Sequence, residues 1–358
     1  MIDQQSLIRS ADNLLTDCME IQYGDSVLAV IEPDSDYRYD PAVGRFVADR
    51  AKSLGCEVEV VTVDPEASDY ELPDSLQSRM GEFKHALFFN RLGDFARFDG
   101  QAQVGSRTMS YTRSFDVLAS DFCAVPHSLM QELLNRFETR LRAAHNWSIS
   151  CPAGTSLEGR MALAKSDDAT FSMNFFPVTT FIPIPCTEAY GNVALTRWLL
   201  PVTAPRVLPC MVPFPGTVTG EVEAGRIKGF RGERDAVAII RKHYERVGQV
   251  LGYDSHRVHS WHTGMNPMTR FERSADQHLE EWESISFASP GYLHFHTAGE
   301  QAPGEVAWSL FNATVSVDSE IIIQDGQMVW FQNAENIELI RQYDCIDRLT
   351  GPNASLGL

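Results

Sequence analysis

The chain has 358 residues, 44% of them hydrophobic and 22% charged, with no low-complexity block; this excludes a disordered protein and allows more than one hydrophobic core. Its 48 acidic residues against 30 basic ones give a formal charge of −18, which repels nucleic-acid backbones and anionic membrane surfaces. Residues 57–82 hold eight acidic residues and a single arginine, a solvated face in the first instance and a dock for a cationic segment in the second.

No run of about 18 apolar residues predicts a membrane span. The opening MIDQQSLIRSADNLL is too polar for a signal peptide. Seven scattered cysteines without a C-x-x-C pair lead us to expect reduced thiols and a cytoplasmic protein.

In chain order, SVLAVIE (26–32) reads as a strand, PAVGRFVADRAKSLG (41–55) as a helix between Pro41 and Gly55, and CEVEVVTV (56–63) as a second strand. KHALFFN (84–90) is a third strand. Residues 126–145 form a long amphipathic helix with Leu129, Leu133, Leu134, Phe137 and Leu141 on one stripe. This is βαβ organisation, and the fold class it predicts is α/β: a Rossmann-like parallel-sheet domain over 1–150. From 151 to 358 the texture changes to short strands broken by proline and glycine, among them FPVTTFIPIP, GNVALTRWLLPV and PGTVTGEVEAGRIKGFRG. One helix (233–252) interrupts them, and 305–331 holds two or more strands with a tight turn at Asp325-Gly326. A mixed α+β domain with antiparallel strands is expected there.

The turn after the first strand, PDSDYRYDP, has no glycine, so a dinucleotide cradle is missing where it is needed. G-x-x-x-x-G-K-[ST], G-x-S-x-G and H-E-x-x-H are absent as well. The chemistry-bearing feature is histidine. Seven of ten, His243, His256, His259, His262, His278, His294 and His296, fall between residues 243 and 296. HSWHTGMNP (259–267) spaces two of them by three. LHFH (293–296) spaces two by two, which places His294 and His296 on one face of a strand. Imidazole is a common transition-metal ligand, so His259, His262, His294 and His296 could converge on iron or zinc. The plainer reading is hydrogen-bonded core histidines, with His243 and His278 facing solvent.

The order of PAGTSL, VEAGRIKGFRG, GMNP and TVSVDSEIIIQDGQMV, over roughly residues 20–331, resembles the scaffold shared by aminopeptidase T-type metallopeptidases and 2,5-dihydroxypyridine 5,6-dioxygenases. That resemblance implies a metal in the C-terminal domain, with one ligand four residues before the glycine of the G-x-N-P turn and an H-x-D pair before the final hairpin. Those places fall on Ser260, Asn312 and Thr314, which are weak, neutral donors. A slip of six residues would bring Asp318 and Glu320 near the H-x-D places, at the expense of hairpin register.

The leading expectation is therefore a scaffold that has lost its metal and binds a peptide or small molecule through His259, Ser260, His262, His294, His296, Asn312 and Thr314, as an accessory in a biosynthetic pathway. It needs no cofactor. Trp261, Trp308, Tyr292 and Phe295 are candidate aromatic walls. The alternative is a metal-dependent dioxygenase or aminopeptidase with its site relocated onto the four histidines. The resemblance also implies a homo-oligomer.

Overall fold

The computed structural model describes residues 2–34, 39–68, 71–96, 105–163, 173–202, 207–299 and 304–358. The chain divides into two compact units, Met1–Glu132 with Ala169–Thr179, and Leu133–Asp168 with Thr180–Leu358. Strands β1 (Ser26–Ile31), β2 (Glu57–Thr62), β3 (His85–Phe89) and β4 (Ser106–Ser110) precede β5 (Asn146–Ser150) and β6 (Ser156–Arg160). After them come β7 (Asn174–Phe176), β8 (Ile184–Pro185), β9 (Tyr190–Pro201), β10 (Val212–Glu223) and β11 (Arg226–Gly232). The last five are β12 (Val258–Thr263), β13 (Tyr292–Thr297), β14 (Val306–Phe311), β15 (Thr314–Val317) and β16 (Glu320–Ile323).

The first unit is built on a parallel sheet in the order β2-β1-β3-β4-β7. Asp40 caps the helix Pro41–Ser53 by accepting from the Ala42 amide, and Pro41 supplies a preset φ at the first position. That helix packs close to the sheet: a Cβ on Gly44 would lie 2.5 Å from Ile31 Cγ2. The expected strands at 26–32, 56–63 and 84–90 are all present. β3 is buried along its whole length, as a strand covered on both faces must be.

The second unit is built on an eleven-stranded antiparallel sheet, β16-β15-β5-β6-β9-β14-β13-β12-β8, with β10 pairing β9 and β11 beside it. The α/β plus antiparallel-strand architecture read from the sequence is the one observed. Within the long helix His127–Arg142, Leu129, Leu133, Phe137 and Leu141 are fully buried, while Leu134 is only partly so. At the expected tight turn, Asp325 and Gly326 both take positive φ (49° and 78°), as a two-residue hairpin turn of mirror type requires. Among the described residues no helix is long and apolar enough to cross a membrane. All seven cysteines are free thiols.

Candidate metal centre

The GMNP turn has a structural task. A Cβ on Gly264 would sit 1.9 Å from the carbonyl carbon of Ala288, so only glycine lets the two backbones approach this closely. The Asn266 amide donates to the Ala288 carbonyl at 3.1 Å, and the Thr263 hydroxyl donates to the carbonyls of Ser289 and Tyr292, both at 2.9 Å. These contacts tie the end of β12 to the start of β13 and so set their register.

In that register Ser260 pairs with His296, Trp261 with Phe295 and His262 with His294. Directly opposed residues of an antiparallel pair share a face. Ser260, His262, His294 and His296 therefore form a square of side chains on one side of the sheet. His259 is left out: the register slips between Val258 and Ser260, making it the extra residue of a bulge, and its Nε2 donates to the Gly299 carbonyl at 2.8 Å.

The three imidazoles of the square crowd together. Ring centroids are 4.2 Å apart for His262 and His294, 4.8 Å for His262 and His296, and 5.2 Å for His294 and His296. One nitrogen from each lies within 4.8 Å of the others, and no carboxylate or thiolate joins them among the described residues. His294 and His296 are buried, and His262 is partly exposed.

Each ring has a definable orientation. His262 Nδ1 is 3.3 Å from the Phe181 carbonyl, an acceptor, so that nitrogen carries the proton and the lone pair is on Nε2. His296 Nδ1 is 3.1 Å from the Ser260 hydroxyl. Tyr292 stacks on His294 at 5.3 Å, with its own hydroxyl 3.2 Å from that of Ser309. His294 Nδ1 is buried and has no hydrogen-bond partner among the described residues. Burial first, then the neighbouring His262 and His296 rings, hold the His294 pKa well below the ordinary histidine value, so the ring is neutral at pH 7.

These residues fit a transition-metal ion. The donors are of one suitable type, two of the rings are held by hydrogen bonds at Nδ1, and a buried nitrogen of the third has no partner among the described residues.

The other residues singled out in the sequence lie elsewhere. Asn312 is exposed in the turn after β14, its amide donating to the Gly291 carbonyl, three residues beyond the Ser309 that stands opposite His294. Thr314 accepts from the Asp325 amide at 3.0 Å within the final hairpin. Trp261, Phe295 and Trp308 point to the opposite face, where each is completely buried; of the four aromatic candidates only Tyr292 shares the histidines' face. Asp318 caps the start of β5 through the His145 and Asn146 amides, and Glu320 pairs with Arg140. His243, expected at the surface, is 4% exposed, because its position on the helix Arg234–Leu251 falls on the buried stripe; Arg246 donates to its Nδ1 at 2.8 Å. Sequence reasoning missed Phe181, whose contribution is a backbone carbonyl and leaves no mark in residue type.

The parallel sheet and the antiparallel sheet carrying a three-imidazole face define an α/β protein with a candidate mononuclear metal centre. The fold is similar to that of the 2,5-dihydroxypyridine dioxygenase of Pseudomonas putida KT2440, with a TM-score of 0.63 over 94% of this chain and 100% of that one, at 13% sequence identity. No protein-family model matches the chain, and no curated protein matches it.

Proposed function

We propose that this protein is a metal-dependent enzyme whose centre is the His262, His294 and His296 face, with iron(II) as the first metal to test and oxidative opening of a hydroxylated aromatic ring as the reaction class. The observation that carries the reading is the convergence of three imidazoles on one sheet face, one of them with a buried nitrogen that has no hydrogen-bond partner among the described residues. Leaving such a nitrogen unpaired costs about 1–3 kcal/mol, and a bound ion offsets that. The likeness of fold to a dioxygenase supports the choice of chemistry.

The bound ion would supply a place where dioxygen and a phenolic substrate meet. The chain's own groups do the rest. Ser260 and the Phe181 carbonyl hold the His296 and His262 rings in one orientation, so the donor atoms are preorganised. Tyr292 fixes the plane of His294 by stacking, and its hydroxyl stays protonated because burial raises its pKa. Ala307 and Ser309 stand opposite His296 and His294 on β14.

The test is elemental analysis of protein reconstituted anaerobically with iron(II), followed by oxygen-consumption assays on dihydroxylated aromatic compounds. One equivalent of iron and substrate-dependent oxygen uptake are expected; failure to retain metal overturns the reading. A second reading, a metal-free protein binding a peptide or small molecule, is favoured by Ser260, Asn312 and Thr314 standing where the resembled enzymes place ligands. It predicts no stoichiometric metal at all.

A further inference from the structure

Three arginines converge where β11 runs into the helix Arg234–Leu251, in a chain whose formal charge is −18. Gly232 ends the strand at φ 150°, and a Cβ there would lie 2.7 Å from the Thr217 carbonyl oxygen, so the tight turn between Arg231 and Arg234 requires glycine. Arg234, Val237, Ala238 and Arg241 then recur on one face of the helix. With Phe230 and Arg231 they line a cavity of about 340 Å³, a volume in the range of small-molecule sites. Its apolar wall is firmly placed: Phe230 packs against Tyr244 and Trp308, with ring centroids 5.3 and 6.3 Å away. Trp308 is on the face of the sheet away from the three histidines, so this cavity is distinct from the candidate metal centre.

The positive charge of this cavity is only partly balanced. Arg231 pairs with Glu221 at 2.5 Å, and Arg241 donates one N–H to the Phe230 carbonyl at 3.3 Å. The Arg234 side chain has no hydrogen bond or ion pair among the described residues. Acidic neighbours are placed elsewhere: the Glu233 carboxyl lies against Gly216, 3.6 Å from the position of a Cβ there, and Asp235 and Glu245, on the same helix, do not line the cavity. Three guanidiniums against the one carboxylate of Glu221 leave two positive charges beside an apolar wall. A guanidinium presents its N–H donors in a planar fork that matches phosphate oxygens, and a site of this charge favours a dianion over a monoanion. We propose that this cavity binds a phosphate monoester of a small organic molecule, its phosphate held by Arg234 and Arg241 and its organic body against Phe230 and Val237.

The test is calorimetric titration of the full chain at low salt with phenyl phosphate, inorganic phosphate, benzoate and phenol; it is independent of any metal. One equivalent of phenyl phosphate should bind, more tightly than inorganic phosphate or benzoate, and phenol should not bind. Arg234→Gln and Arg241→Gln should each weaken phenyl phosphate by roughly tenfold, the loss of a charge-assisted hydrogen bond, and Ala238→Glu, which puts a carboxylate into the cavity, should abolish binding. Lys242→Gln removes the same charge from beside the cavity and should change the affinity by no more than about twofold, because an exposed charge acts weakly through water. Thermal melts check that each variant folds; where one does not, the wild-type order of the four compounds decides. Absence of binding by the wild type, equal losses in Lys242→Gln and Arg234→Gln, or benzoate bound as tightly as phenyl phosphate overturns the proposal. Inorganic phosphate bound as tightly as phenyl phosphate overturns the organic ester as the ligand class.

Discussion

Two buried histidines, one in each unit, sit in opposite environments: one with every nitrogen paired, the other in the proposed metal centre. His85 at the start of β3 has both nitrogens engaged: Nδ1 with the Ser106 hydroxyl at 2.7 Å and Nε2 with Asp25 at 3.1 Å. Asp25 is in turn held by Lys84 at 2.8 Å, the main cause of its pKa falling to about 2. His294 is also buried but faces two more imidazoles, and its Nδ1 has no hydrogen-bond partner among the described residues. The first arrangement satisfies every polar atom within the protein. The second leaves a buried ring nitrogen unpaired among the described residues.

The sharpest way to break this contrast is metal retention. His262→Ala and His294→Ala should each lose essentially all bound metal by elemental analysis, whereas His85→Ala should retain one equivalent. Metal loss from the His85 variant alone would reverse the assignment of roles.

Acid stability should be next in size. His243 is neutral in the fold, its pKa lowered to about 4 chiefly by burial and then by Arg246, and the same direction holds for His294. Between pH 6.5 and 4 the unfolded chain binds the proton that the folded one refuses. Stability is therefore full above pH 6.5 and falls as pH drops toward 4, by up to about 3 kcal/mol from His243. Denaturant unfolding across this range should show the slope, and His243→Leu should flatten it.

Leucine at the two buried positions separates them further. His85→Leu should destabilise by about 2 kcal/mol, because Asp25 and Ser106 lose a buried partner. His294→Leu in metal-free protein should be neutral or stabilising by about 1 kcal/mol, since it removes an unpaired polar atom. Equal losses in urea melts would mean that His294 is structural after all. Finally, Ser260→Ala should weaken metal affinity about 10-fold to 100-fold while the cobalt spectrum shifts, as expected for a group that orients a ligand; an unchanged affinity would reduce Ser260 to packing.

Much of the architecture was legible in residue patterns. The βαβ order, the buried run of β3, the long helix stripe and the Asp325-Gly326 turn follow from periodicities and turn chemistry that act over a few residues. The pairing of His294 with His296 was legible for the same reason, since alternation along a strand is local. Leu134 and His243 strayed from expectation because the width and direction of a buried stripe depend on what packs against the helix, and that is not local.

The site illustrates the same division. Residue type and spacing by themselves determined that histidines concentrate late in the chain, that two of them share a strand face, and that Ser260, Asn312 and Thr314 are poor metal donors. Only tertiary structure decided that His262 stands opposite His294, that a bulge turns His259 away to Gly299, that Asn312 sits in the turn after β14, and that Thr314 is tied to Asp325. The physical reason is strand register. It is set by Gly264 and Asn266 closing on Ala288, contacts made across more than twenty residues of chain, and a shift of one residue would turn every one of these side chains to the other face of the sheet.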